Sequence, residues 1–309
     1  MPTPIRWIIG RGLLGSAIER GRPDTPFSAP IDWFSPSATV SSLDAGVDAF
    51  LRLAGDREWE IYWSAGRGVT STPREIMMRE AEVFESFLEL AAERLPRDGR
   101  GSFFLGSSVG GAYAGNPSPP FTELTPTAPL SAYGEAKLRM ENALTASIAA
   151  TGRRAFIARV TNLYGPGQDM AKGQGLISAI VGGYVTGRPV SVYVSLDTLR
   201  DYIFVEDCGR VVSAAMERVR TEPPGTVVTK IVGSMRALSI GALLGEIGRL
   251  RRRPAPLILG QGDARGQSLD LRVRSVVWPD LDALVSTTLP EGLGIVYQAQ
   301  LLSHMVNGR

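Results

Sequence analysis

Apolar and polar positions along the chain alternate between short apolar runs and longer amphipathic segments. Residues 5–9 form an apolar run that predicts a strand, followed by a glycine-rich turn and a helix to about Arg20. Residues 30–34 are read as a second strand, and 44–54 as a helix. Residues 60–66 read as a buried strand ending in small residues, and 73–95 as a long amphipathic helix. That helix places Ile76, Val83, Phe84, Phe87, Leu88 and Ala91 on one face, as core or as a subunit interface. A strand over 101–108 ends in hydroxyls, and a helix runs on from Tyr133. Strands at 155–159, 190–194 and 226–232 then alternate with helices at 176–185 and 239–249, and a short strand at 199 enters a helix carrying Arg210. Residues 269–274 are strand-like, and a last helix from Leu289 holds His304. Strands alternating with helices predict an α/β fold, a doubly wound parallel sheet of Rossmann type. The expected division is a dinucleotide-binding domain, 1–165 joined by about 200–234. A smaller, interleaved C-terminal α/β substrate region would take 166–199 and 235–309.

Composition narrows the chemistry. The chain has 309 residues and a net charge of +2, too little to suggest a nucleic-acid partner. The cluster Arg249, Arg251, Arg252 and Arg253 reads as a solvated helix end. No apolar run approaches the roughly 18 residues of a membrane span, and the first residues lack a secretory pattern, so a cytoplasmic protein is expected. Cys208 is the one cysteine and His304 the one histidine, so no intrachain disulfide and no Cys/His metal site are expected. Acid–base work falls to Tyr, Lys, Asp, Glu or a cofactor.

Two stretches carry candidate chemistry. The first is Gly10-Arg11-Gly12-Leu13-Leu14-Gly15, between a strand and a helix. Glycines in that setting let the backbone approach a pyrophosphate at the helix N-terminus. An acidic residue some twenty positions on would hold the adenosine ribose, and Asp32 stands near that distance. Arg11, a cation with no evident partner, would instead meet a 2′-phosphate, which leans the reading to NADP(H) over NAD(H). Ser64, Ala65 and Gly66 are small enough for a dinucleotide to lie across that strand tip. The second stretch is Ser131-Ala-Tyr133-Gly-Glu-Ala-Lys137. On a helix Tyr133 and Lys137 share a face. An ammonium beside a phenol favours phenolate, which makes the pair a proton shuttle for a C–O–H group. Ser107 and Ser108 end a strand, where ligands bind in open parallel sheets, and either could bond the same oxygen.

In this order the stretches resemble the extended short-chain dehydrogenase/reductases, the group of nucleotide-sugar epimerases, dehydratases and 4-ketoreductases. The resemblance runs from Gly10 to about Leu293. It rests on the glycine turn, Ser107-Ser108, Glu123 before a proline, Tyr133 with Lys137, the run from Arg159 through Asn162 to Gly167, and Arg200-Asp201-Tyr202 through Asp207. It implies Tyr133 as general acid/base, Lys137 as its partner on the nicotinamide ribose, and Ser108 on the substrate oxygen. Gly10, Arg11, Gly12, Leu13, Leu14, Gly15, Ser64, Ala65, Gly66 and Val160 would line the cofactor. Asn162 and Arg200 would meet the substrate's phosphates, with Arg265 or Arg272 as a further contact. A homodimer through the helices bearing Tyr133 and residues 73–95 is also implied. Three features depart from the group: Ile9 replaces a glycine common there, the segment from Ser108 to Tyr113 is a residue longer, and the second-strand region is short and proline-rich.

The dehydratase branch of this group carries Asp-Glu after the catalytic hydroxyl residue; here Val109 and Gly110 stand there. A 4-ketoreductase using exogenous NADPH is the leading expectation, with Arg11 tipping it over a 4-epimerase holding one NAD. A reductase or dehydrogenase of a non-sugar ketone or alcohol, and a cofactor-binding regulator, are the further alternatives.

Overall fold

The computed structural model describes residues 3–169, 175–251, 257–260 and 268–307, so Arg252, Arg253 and Arg265 lie outside the described residues. Five parallel strands form the central sheet, in the order β1 (Ile5–Ile9), β2 (Trp59–Trp63), β3 (Gly101–Ser108), β4 (Arg154–Val160) and β9 (Val227–Val232). Parallel strands covered on both faces need near-continuous apolar runs, and every residue of β2 is buried. Its one charge, Glu60, accepts from Tyr62 and pairs with Arg22, each at 2.7 Å. Helices α2 (Pro36–Ala54), α3 (Arg74–Arg94) and α5 (Ala132–Thr151) cover one face, where Trp7 and Ile9 point. Helices α1 (Leu13–Arg20) and α7 (Val205–Val219) cover the other, where Ile8 points. The doubly wound α/β architecture is as expected.

A second core packs β5 (Asn162–Tyr164), paired with β8 (Tyr202–Phe204), against α6 (Leu176–Thr186), α8 (Ile240–Arg251) and α9 (Leu289–Asn307). Two small pairs border it: β6 (Val190–Val192) with β11 (Leu257–Leu259), and β7 (Leu199–Arg200) with β10 (Leu238–Ser239). No described helix is long and apolar enough to cross a membrane.

Several expectations change. Residues 30–34 are not a strand. Only Phe27 bridges Trp7, on the free side of β1, and beyond it Pro30 has no N–H to continue a ladder. The chain therefore leaves β1 toward Phe27 and returns across it to β2, so its winding turns back at β1, and among the described residues only the Phe27 bridge lies beyond that strand. The helix expected over 44–54 starts at Pro36 because Ser35 caps it, accepting from Ala38 N at 3.2 Å, and proline suits the first turn. Ile76 is exposed and Met77 takes its place in the core. The rest of that apolar stripe packs on the sheet, so it is core. Residues 269–274 form isolated bridges, Asp270 to Leu199 and Val273 to Phe121, instead of a strand.

Candidate active site

The register aligns the strand ends. Ile9 lies beside Trp63, and Ser108 beside Val160. Their C-terminal ends open into one cavity of about 1190 Å³, lined from the glycine turn through Ser64 and Tyr133 to Arg200. Ligand pockets commonly hold about 300–1,000 Å³, so this one has room for a dinucleotide beside a second ligand.

Ser108 ends β3 and caps α4 (Val109–Tyr113), a helix that periodicity did not reveal, accepting from Gly111 N at 3.1 Å. Tyr133 sits in the first turn of α5, capped by Ser131, and Lys137 follows one turn on. Lys137 is 8% exposed; its ammonium donates to Gly106 O at 3.2 Å and lies 5.9 Å from the Tyr133 ring centroid. Two glycines set how closely serine and tyrosine approach. A Cβ on Gly134 would stand 2.3 Å from Gly111 O, and one on Gly111 would touch both Ser108 Cβ and Tyr133 Cε1 at 3.3 and 3.4 Å. Helices α4 and α5 thus meet backbone to backbone, with Ser108 and Tyr133 flanking the contact.

Beneath this group lies a buried ionic network. Ser107 Oγ donates to Glu141 Oε1 at 2.5 Å, which commits that serine to the protein interior. Arg159 donates through Nε and Nη2 to the Glu141 carboxylate, 2.6 Å at the shortest, and through Nη1 to the Tyr113 hydroxyl at 2.6 Å. Burial alone would lower the Arg159 guanidinium, but its bonds to Glu141 hold it well above its ordinary value. Burial raises the Tyr113 phenol, with Arg159 pulling back. Of the alternatives for the catalytic hydroxyl, Ser108 is the one not tied to this network. Glu141 went unremarked in the sequence, although a carboxylate one turn after Lys137 on a core-facing helix stripe is a legible signal.

At the glycine turn, Gly10 has φ +87° and lies so close to Ala65 that a Cβ would meet its backbone at 2.3 Å. A Cβ on Gly15 would meet Gly10 O at 2.1 Å, and Ser64 Oγ donates to Gly10 O at 2.8 Å. Gly12 differs: a Cβ there meets nothing within 4 Å, so its approach face is open to the cavity. Leu13 and Leu14 line the same wall, as do Ser64, Ala65 and Gly66. Arg11 is not unpartnered. It pairs with Glu19 at 3.1 Å and donates to Ser28 Oγ at 2.9 Å, which removes the ground for the lean to NADP(H). Asp32 does not line the cavity; its carboxylate accepts from Phe34 N at 2.8 Å.

At the opposite end Val160 and Asn162 line the cavity, and Asn162 Nδ2 donates to Asp201 O at 2.8 Å. Arg200 is partly buried there, and burial lowers its guanidinium from the ordinary value. Among the described residues its hydrogen bonds go to the carbonyls of Leu199 and Ser268, at 2.9 and 2.7 Å. Counted among the described residues, these bonds use two of its five N–H donors. Arg272 is exposed, is chelated by Asp270 at 2.8 Å and does not line the cavity. Glu123 is structural: it accepts from Ile231 N, Ser275 Oγ and Val276 N, tying the loop before Tyr133 to the C-terminal region. Among the described residues no group of His, Cys, Asp and Glu is arranged to hold a metal ion.

Residues 30–229 match the model of the NAD dependent epimerase/dehydratase family. The chain belongs to that family. Its members include curated relatives of differing activity. A dTDP-L-rhamnose 4-epimerase of Burkholderia thailandensis is 30% identical over 157 residues, 50% of this chain and 42% of that protein. A dTDP-4-dehydro-6-deoxyglucose reductase of Escherichia coli is 27% identical over 111 residues, 36% of this chain and 35% of that one. The matched stretch thus spans less than half the length of these relatives. Solved structures agree in fold over nearly the whole chain. MoeE5 in complex with UDP-glucuronic acid and NAD superposes with a TM-score of 0.74 at 19% identity, over 97% of this chain and 100% of that one. A UDP-glucuronic acid 4-epimerase of Bacillus cereus gives 0.73 at 17%, over 97% and 100%. At such identities the likeness is one of fold. Family membership thus rests on the model match, and the solved structures add the fold.

Proposed function

We propose that the protein reduces the 4-keto group of a nucleotide-diphosphate sugar, drawing on a nicotinamide dinucleotide that exchanges between turnovers. The observation that carries this choice is the edge position of β1. Among the described residues, a one-residue bridge lies beyond it and no further strand tips to enclose the adenosine end. A cofactor open on that flank leaves more readily than one enclosed on both, which suits a consumed reductant. Val109, buried, and Gly110 supply neither acid nor base for an elimination.

A bound nicotinamide would supply hydride. Tyr133 gives its proton to the substrate oxygen as charge builds there, and Ser108 donates a hydrogen bond to the same atom. Lys137, anchored on Gly106 O, stands beside the phenol. Asn162 and Arg200 take the diphosphate, a guanidinium being well matched to such an anion. The setting is a cytoplasmic small-molecule enzyme. A preference for NADP(H) over NAD(H) would require Arg11 to exchange Glu19 for a 2′-phosphate, and comparing the affinities of NADPH and NADH reads that directly.

The 4-epimerase reading keeps one specific support, the 30% identical relative that is named as a 4-epimerase. Denaturing the purified protein separates the two. Little released dinucleotide, with NAD(P)H oxidation on adding a dTDP- or UDP-4-keto sugar, is the expected result. Near-stoichiometric NAD, with interconversion of epimers and no net oxidation, would replace the reductase by the epimerase.

Gly12→Ala tests the glycine turn separately. The added methyl meets no protein atom within 4 Å, so stability should stay within about 0.5 kcal/mol of the parent. Dinucleotide affinity, measured by calorimetry, should fall at least about tenfold, one step of 1.4 kcal/mol. Unchanged affinity would remove the pyrophosphate from this turn.

A further inference from the structure

Where the sheet has lost strands beside β1, the chain presents two adjacent aromatic rings. Trp33 is 51% exposed and Phe34 is 94% exposed, and both line the cavity that begins at the glycine turn. Single exposed apolar side chains are ordinary; two in succession on the rim of a ligand cavity are not explained by packing. Nor are they on a slack loop. Thr39 Oγ1 donates to Asp32 O at 2.7 Å, Asp32 N donates to Ser42 Oγ at 3.1 Å, and Asp32 Oδ1 accepts from Phe34 N at 2.8 Å. Ser35 then caps α2. The rings are therefore displayed by a turn that is hydrogen-bonded on both sides. Its other end is tied to the glycine turn, because Arg11 donates to Ser28 Oγ at 2.9 Å and Phe27 bridges β1.

We propose that Trp33 and Phe34 form an aromatic platform for the adenine ring of the dinucleotide, a single stacking face on a flank that stays open to solvent. The assignment rests on the cofactor reading above and concerns this chain's own residues. The cavity runs from Tyr133, Lys137 and Val160, past the open face of Gly12, to Arg11, Trp33 and Phe34. With the nicotinamide beside Tyr133 and the pyrophosphate on Gly12, the adenosine half has its remaining length in the direction of those rings. A purine has a π face, and stacking on an aromatic side chain needs no hydrogen-bond partner. This fits a turn whose own carboxylate, Asp32, accepts from Phe34 N.

The test is direct binding to the full chain, with no substrate and no turnover. NADH, NADPH, ADP and reduced nicotinamide mononucleotide are titrated by calorimetry and by protein fluorescence. Trp33→Ala and Phe34→Ala should each weaken NADH, NADPH and ADP by roughly tenfold, in the range of base–aromatic stacking. The mononucleotide, which has no adenine, should bind the variants as it binds the parent. Trp33→Phe and Phe34→Tyr should restore most of the lost affinity, because a ring face is retained. Equal loss for the mononucleotide would indicate a disturbed fold, and unchanged affinity for NADH, NADPH and ADP would place adenine elsewhere; either overturns the platform. If the parent binds neither NADH nor NADPH, the cofactor reading fails as well, and that result is distinct from tight parental binding that the variants leave untouched.

Discussion

Tyr133→Phe is expected to lower turnover by about two to four orders of magnitude, the usual worth of a positioned general acid, while leaving dinucleotide affinity within about twofold, under half of the 1.4 kcal/mol that a tenfold change requires. The phenol is half-exposed at the cavity, one helical turn before a buried ammonium and across Gly111 from Ser108. Removing its oxygen deletes the proton donor and no packing atom, since the ring remains. Single-turnover reduction followed at the nicotinamide absorbance, with calorimetric titration of the same variant, checks both halves. A loss of less than tenfold would show that another group protonates the substrate oxygen. Loss of cofactor binding together with activity would move Tyr133 from chemistry to cofactor positioning.

Glu141→Gln carries the other large effect, and it touches stability before activity. Glu141 is 5% exposed and accepts from Ser107 and Arg159, which is 9% exposed. Breaking a buried pair by removing one partner costs about 3–5 kcal/mol, because the other charge is left without its counter-ion. Arg159 would keep the Tyr113 hydroxyl and one amide oxygen but lose its counter-charge. The folded state should lose on the order of 3 kcal/mol in urea denaturation. Activity should fall too, since the network joins β3, β4, α4 and α5 directly under Ser108 and Lys137. The double variant Glu141→Gln with Arg159→Met should recover part of the stability, as neighbours that share one interaction are not additive. A single variant within 0.5 kcal/mol of the parent would show that the pair holds nothing together.

Apolar runs and i, i+3, i+4 stripes located all five central strands to within a few residues, and the long helices likewise apart from the start of α2, because burial on both faces imposes one signal per element. Residues 30–34 misled because Ile31, Trp33 and Phe34 look like a strand, whereas Pro30 and the Asp32 turn stop the ladder after Phe27. Helix α4 was missed because five residues with two glycines have no period to detect. Ile76 and Met77 exchanged places because neighbouring helix positions differ by about a third of a turn, less than the width of an apolar stripe.

By itself the sequence determined the class of fold, the glycine turn after the first strand and the Tyr133–Lys137 pairing. These are local: a strand–turn–helix and one turn of helix fix their geometry through nearest neighbours alone. Tertiary structure decided everything that depends on residues far apart in the chain. It tied Ser107 to Glu141 and left Ser108 at the cavity, gave Arg11 its partner Glu19 and its link to Ser28, and kept Arg200 on carbonyls. It also made β1 a sheet edge and set Trp33 and Phe34 beside the open turn. The reason is physical: hydrogen-bond partners and open flanks are properties of which strand ends meet, and no periodicity in one segment encodes what the next strand leaves uncovered.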